Sequence, residues 1–169
     1  MDTVAWVDEK DNILGEISRE KAHREGLLHR IAVTYLVRDN GDILIQERIS
    51  GRLDHSSAGH VDPGEDYLKT AKRELCEELG VCGVELKEIG ESIADEIEPE
   101  ANWYRIRHKY KLYEYNGEPK LLSKDEVKSV YWAKPLEIYE AMKKDPQNKR
   151  YCGGFKDSLK HFLKIKNLI

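Results

Sequence analysis

Long apolar runs are missing from this 169-residue chain. The longest, near residues 31–37, falls far short of the roughly 20 residues that a membrane-spanning helix needs. The opening residues, MDTVAWVDEKDN, carry charges where a secretory leader needs an apolar stretch, so the expected location is the cytoplasm. Cysteine is scarce. Cys76, Cys82 and Cys152 form an odd set with no CxxC pair, which argues against a disulfide framework or a thiolate zinc site and reads as reduced thiols. A basic excess is also lacking: 28 Lys and Arg stand against 32 Asp and Glu, for a net charge of −4 and a pI near 5.9. General nucleic-acid binding is therefore not expected. No internal repeat and no low-complexity tract is visible, and the length suits a single domain spanning 1–169.

What is present is a series of short strands with few helices, a mixed α+β pattern. In a leading segment (residues 1–30), AWVD and ILGEIS read as two strands around Asp11-Asn12, and Ser18 is placed to cap a short helix ending at Gly26. IAVTYLVR and ILIQER flank an Asn-Gly hairpin signal. Residues 49–57 read as a loop leading into an acidic segment. Beyond it, the alternation at 84–89, the stretch 103–115 and residues 127–132 read as strands. Pro135 opens a helix, and a lysine-rich amphipathic helix (153–166) closes the chain with Phe155, Leu159, Phe162 and Leu163 on one side.

The chemistry concentrates in residues 59–81, GHVDPGEDYLKTAKRELCEELGV. A helix between Pro63-Gly64 and Gly80 would carry Leu68, Ala71, Leu75 and Leu79 as its apolar stripe. Glu74, Glu77 and Glu78 then fall at i, i+3 and i+4, side by side on one face. Like charges at that spacing cost about 0.2–0.5 kcal/mol per pair. The negative end of the helix dipole adds to the repulsion. A hard divalent cation with oxygen ligands offsets both, and Mg²⁺ is the usual candidate beside phosphates.

Gly59, Glu65, Arg73-Glu74-Leu75, Glu77-Glu78 and Gly80-Val81 fit GX5EX7REUXEEXGU, with U aliphatic, at every position. Seven fixed residues at average usage coincide by chance about once in 10⁸ start positions. The chain thus resembles the Nudix hydrolases. The resemblance implies an α/β/α sandwich around a mixed sheet and hydrolysis of a diphosphate joined to another group. The expected substrate is a small nucleoside diphosphate derivative, and a homodimer is the candidate assembly. It also implies Mg²⁺, or Mn²⁺ in its place, held by Glu74, Glu77, Glu78 and the carbonyl of Gly59. Glu65 and Arg73 are implied as an ion pair. Glu77 or Glu74 is the expected general base, with Asp95, Glu96, Glu98 and Glu100 as candidates outside the motif. Arg48 and Arg52 are candidate phosphate contacts, because guanidinium forks match phosphate oxygens. Trp103 and Tyr104 are candidates for stacking a base.

A second resemblance concerns AHREGLLHR and Gly59-His60, which are similar to segments of type I isopentenyl-diphosphate isomerase. That enzyme has the same fold and holds a metal with histidines and glutamates; His23, His29 and His60 fall at similar places. It also needs a cysteine where this chain has Ala58, and a methyl group carries no transferable proton. Hydrolysis is preferred on that ground, and the complete glutamate set also sets aside a non-catalytic nucleotide-binding module.

Overall fold

A computed structural model describes residues 2–98, 103–145, 147 and 149–169. Nine strands form one mixed sheet among the described residues, with four helices around it. In chain order they are β1 (Thr3–Val7), β2 (Ile13–Ser18), α1 (Arg19–Glu25), β3 (His29–Val37), β4 (Ile43–Arg48), β5 (Leu53–Asp54), β6 (Ser57–His60), α2 (Tyr67–Leu79), β7 (Lys87–Ile97), β8 (Arg105–Asn116), β9 (Val127–Ala133), α3 (Pro135–Lys143) and α4 (Phe155–Ile165).

The central strand β3 makes the sheet mixed. It runs parallel to β8 over nine residue pairs, from His29↔His108 to Val37↔Asn116, and antiparallel to β6 from Ile31↔His60 to Thr34↔Ser57. Both faces of β3 are covered, so its apolar residues run almost without interruption. Ile31, Val33 and Tyr35 face a core completed by Phe155, Leu159, Phe162 and Leu163 of α4 and by Ile138 and Met142 of α3. Ala32 and Leu36 face the other way, into clusters that include Tyr67, Ala71, Leu75 and Leu79 of α2. The alternation along β3 therefore fixes which helix lies on which side. The result is the layered α/β/α arrangement.

Local signals set most boundaries. The Ser18 hydroxyl accepts from the Lys21 amide, and Gly26 ends α1 in the left-handed region at φ 64°. Asp66 caps α2 by accepting from Lys69 N at 2.8 Å, and Gly80 ends it at φ 67°. Three expectations need correction. Within residues 49–57, expected as loop, Leu53–Asp54 form β5 and Ser57 opens β6, whose Ala58 and Gly59 pair with β3 despite weak strand propensity. The strand expected from residue 84 begins at Lys87, since Val84 and Leu86 pack against the α2 side of the core instead. Leu68 is 39% exposed; Tyr67 and Thr70 take its expected place in the buried face.

The cysteines are a fourth correction. Cys76 and Cys82 are joined by a disulfide, and only Cys152 is free. The helix stops at Leu79 and the left-handed turn at Gly80 folds the chain back, bringing the two Cα atoms to 4.5 Å. That separation lies within the span a disulfide can bridge. Sequence spacing alone carries no record of this reversal. No helix among the described residues is long and apolar enough to cross a membrane.

Candidate active site

Strand β6 and helix α2 meet at one wall of a cleft of about 660 Å³. The three motif glutamates do not share one environment. Glu78 is buried at 1% exposure, pressed toward β4, where the Gln46 amide donates to its Oε2. Burial pushes the Glu78 carboxyl well above its usual range; the Gln46 hydrogen bond opposes this and the charge of Glu74 adds to it. Burial also raises Glu74, against the pull of Arg73, whose Nη1 lies 2.7 Å from Glu74 Oε1. Glu77 remains half-exposed, 3.5 Å from the same Arg73 nitrogen.

Glu126 completes a cluster with Glu74 and Glu78. One carboxylate oxygen from each lies within 4.8 Å of the others. Glu77 lies on the cleft wall but outside this cluster. Sequence reasoning did not reach Glu126, which sits far downstream in the turn before β9. Backbone hydrogen bonds bring it there. Lys120 N and Leu121 N donate to Leu79 O, and Ser123 N donates to Glu78 O at 2.9 Å. These bonds satisfy carbonyls that the end of α2 leaves open. A Cβ on Gly80 would meet the Leu121 backbone at 2.7 Å, so a glycine there also permits the close passage.

Gly59 has an equally specific place. A Cβ on this residue would lie 2.2 Å from the carboxyl carbon of Glu74, so only glycine leaves that carboxylate room against β6. Arg73 Nη2 lies 3.1 Å from Glu65 Oε2, and Thr70 Oγ1 donates to the same oxygen at 2.8 Å. Burial would raise the Glu65 carboxyl, but these hydrogen bonds, led by Arg73, hold it below its usual range. Arg73 thus ties the motif loop to the helix that carries the carboxylates.

Arg48 and Arg52 also line the cleft. Arg48 Nη1 donates to Asp54 at 3.1 Å, and Arg52 Nη2 lies 3.0 Å from Glu98 Oε1. Asp54 Oδ1 also lies 2.6 Å from His55 Nδ1, whose Nε2 reaches Ser158 Oγ at 2.6 Å. Burial would raise Asp54, but His55 and Arg48 hold it at about 2. Of the acidic candidates outside the motif, Asp95 pairs with Arg107 at 3.3 Å and Glu96 accepts from the Gly154 amide. Glu98 alone of these faces the cleft among the described residues, and Glu100 lies outside them. Tyr104 lines the cleft and stacks on His23 at 4.0 Å, whereas Trp103 is 53% exposed.

His23, His29 and His60 come together with a fourth residue, His108 of β8. All six ring-centroid distances lie between 4.8 and 5.6 Å. His29 is fully buried and His23 and His108 nearly so. Burial lowers all four imidazoles, His29 to about 4 and His60 and His108 well below their usual range. The rings are neutral. An unpartnered buried polar atom costs about 1–3 kcal/mol, and the Nε2 of each of the four has no hydrogen-bond partner among the described residues. His108 escaped sequence reasoning because it occupies an alternating position in a long strand, like any inward-facing residue.

With this geometry established, comparison with known proteins is decisive. A family model described as the NUDIX domain matches residues 28–152. The chain belongs to the Nudix family. An uncharacterised Nudix hydrolase of Yersinia pestis is 34% identical over 146 residues, covering 80% of this chain and 76% of its own. The isopentenyl-diphosphate isomerase of Pectobacterium atrosepticum is 33% identical over 84 residues, covering 46% of this chain and 47% of its own. Among solved structures, DR0079 from Deinococcus radiodurans superposes with a TM-score of 0.74 at 21% identity, covering 95% of this chain and 98% of its own. This last likeness establishes the fold. The protein is therefore an enzyme, a Nudix hydrolase acting on pyrophosphate bonds of small molecules.

Proposed function

We propose that this Nudix hydrolase is a Mg²⁺-dependent pyrophosphohydrolase that cleaves the diphosphate linkage of a nucleoside diphosphate derivative. The observation that carries the reading is the cluster of Glu74, Glu78 and Glu126, with one member buried and its carboxyl raised by that burial. A desolvated group of oxygen donors fits a hard divalent cation. Glu74, Glu78 and Glu126 would hold the cation, with the Gly59 carbonyl as a further ligand. Mn²⁺ is the natural substitute. When bound, Mg²⁺ supplies positive charge that screens the phosphate oxygens and activates water.

The chain's own residues do the rest. Arg48 and Arg52, which line the same cleft, orient the diphosphate, trading contacts with Asp54 and Glu98 for phosphate oxygens. Glu77, at the cleft but outside the carboxylate cluster, accepts the proton of the attacking water. Arg73 positions Glu74 and Glu65. Phosphorus takes the water oxygen, and the bridging oxygen leaves with the second phosphoryl group.

Two supporting features concern setting. The cytoplasm is the proposed setting, and the exposed Ile13 and Leu14 of the outer strand β2 favour pairing of two copies through the N-terminal hairpin. Light scattering of wild type and Ile13→Glu tests the latter; a monomeric wild type contradicts it.

A panel of nucleoside di- and triphosphates, sugar nucleotides, dinucleotides and prenyl diphosphates, assayed with Mg²⁺ and Mn²⁺, tests the function. Cleavage centred on nucleoside diphosphate derivatives is expected. A second reading, isomerase activity, is favoured by the Pectobacterium match. Ala58 in the cleft offers no protic group, so proton exchange on isopentenyl diphosphate in heavy water is expected to stay at background. Exchange with no cleavage of the panel would replace hydrolysis with isomerisation.

A further inference from the structure

We infer that His23, His29, His60 and His108 form a second metal site, an all-imidazole cage for one late first-row divalent ion, with Zn²⁺ as its occupant. The inference is independent of what the carboxylate site hydrolyses. Four elements converge on it: α1, β3, β6 and β8 each contribute one ring. One nitrogen from every ring lies within 4.8 Å of the other three. A tetrahedron with bonds of 2.0–2.1 Å has edges of about 3.4 Å, so modest ring movement closes the cage.

Hydrogen bonding decides how two of the rings present themselves. His23 Nδ1 lies 2.9 Å from the Arg105 carbonyl and His29 Nδ1 lies 2.8 Å from the Leu27 carbonyl. A carbonyl only accepts, so both rings carry their proton on Nδ1 and leave a bare lone pair on Nε2. The Nε2 atoms of all four rings are buried and unpartnered among the described residues. Core histidines packed for stability would hydrogen-bond to one another, yet none of these four Nε2 atoms does so. A carbonyl behind each of these two rings is the usual backing of a ligating imidazole, fixing tautomer and orientation.

The donor set selects the ion. Neutral imidazoles suit Zn²⁺, Cu²⁺ and Ni²⁺, while Mg²⁺ demands oxygen ligands, and no carboxylate belongs to this cluster. Four protein ligands with no open position make a structural rather than a catalytic zinc site. His23, His60 and His108 also line the large cleft, which provides an entry path. Since His60 adjoins Gly59 on β6, an ion in the cage would pin the strand against which Glu74 rests.

Metal retention tests this without recourse to turnover. The full chain is stripped with a chelator, reconstituted with Zn²⁺, desalted and analysed for metal. One tightly held equivalent is expected in wild type and equally in the Glu74→Gln/Glu78→Gln variant. His108→Gln, with its fold checked by circular dichroism, is expected to bind at least about tenfold more weakly. Zinc-edge X-ray absorption of the loaded wild type is expected to show imidazole outer-shell scattering, and this reading decides the matter if His108→Gln fails to fold. No retained zinc in wild type, undiminished affinity in a folded His108→Gln, or a shell without imidazole scattering would each overturn the inference.

Discussion

Replacing Gly59 with alanine separates the fold from the site. The new Cβ would lie 2.2 Å from Glu74 Cδ and Oε1, whereas ordinary contact begins near 3.4 Å. The clash is with the far end of a flexible side chain, so the carboxylate must retreat by more than 1 Å while β6 stays in place. The cost to stability is small. Losing the Glu74–Arg73 contact removes about 0–1 kcal/mol, and alanine in a strand recovers about 0.5–1 kcal/mol over glycine. A misplacement of about 1 Å in a catalytic constellation costs about 10²-fold in rate, equivalent to about 2.7 kcal/mol of transition-state stabilisation. Urea midpoints and kcat/KM with saturating Mg²⁺, measured on wild type and Gly59→Ala, give both numbers. Unchanged stability with a hundredfold loss of rate is expected. A variant that hydrolyses at the wild-type rate would refute the reasoning, because Glu74 would then not need its present position.

Glu78→Gln should lose at least about tenfold in Mg²⁺-dependent rate while folding normally. Its pH behaviour has a definite sign: Glu78 has a raised carboxyl in the folded protein, so its contribution to stability is present below 4.5 and is lost as pH rises through the folded value. Without metal, the variant should therefore gain on wild type in urea midpoint as pH rises, and a constant difference would contradict the burial argument. The same raised carboxyls must deprotonate to hold metal, so hydrolysis should rise toward alkaline pH, as pH profiles of kcat/KM will show. His29, lowered to about 4 by burial, acts in the opposite direction, with a contribution present above 6.5 and lost as pH falls toward 4. Imidazole NMR should find it neutral and protonated on Nδ1 at pH 6, and a titration near 6.5 would contradict its placement. Thiol counting in denaturant should give one reactive group before reduction and three after, from Cys152 alone and then with Cys76 and Cys82.

The helix of the motif was legible because its signals are local: a turn before it, Gly80 after it, and apolar residues at helical spacing. What spacing could not supply was depth. Glu74, Glu77 and Glu78 look equivalent in sequence, yet the seating of α2 against β4 buries Glu78 beside Gln46 and leaves Glu77 half-exposed. Long-range partners were out of reach for the same reason. Glu126 arrives through a loop that caps the end of α2, and His108 through the parallel pairing of β8 with β3, where it stands opposite His29. The Cys76–Cys82 link depends on a left-handed turn that a cysteine count does not weigh. Short strand β6 was hidden by its small residues, although Gly59 is small because Glu74 lies against it.

The account rests on carboxylates that hold a cation in order to open a pyrophosphate bond. Titrating Mn²⁺ into the metal-stripped protein, followed by electron paramagnetic resonance, tests this most directly when wild type and Glu74→Gln/Glu78→Gln are compared with and without a nucleoside diphosphate derivative. The account predicts saturable Mn²⁺ binding and cleavage in wild type, both lost in the double variant. Equal binding by the two proteins, or no binding and no cleavage by either, would contradict it.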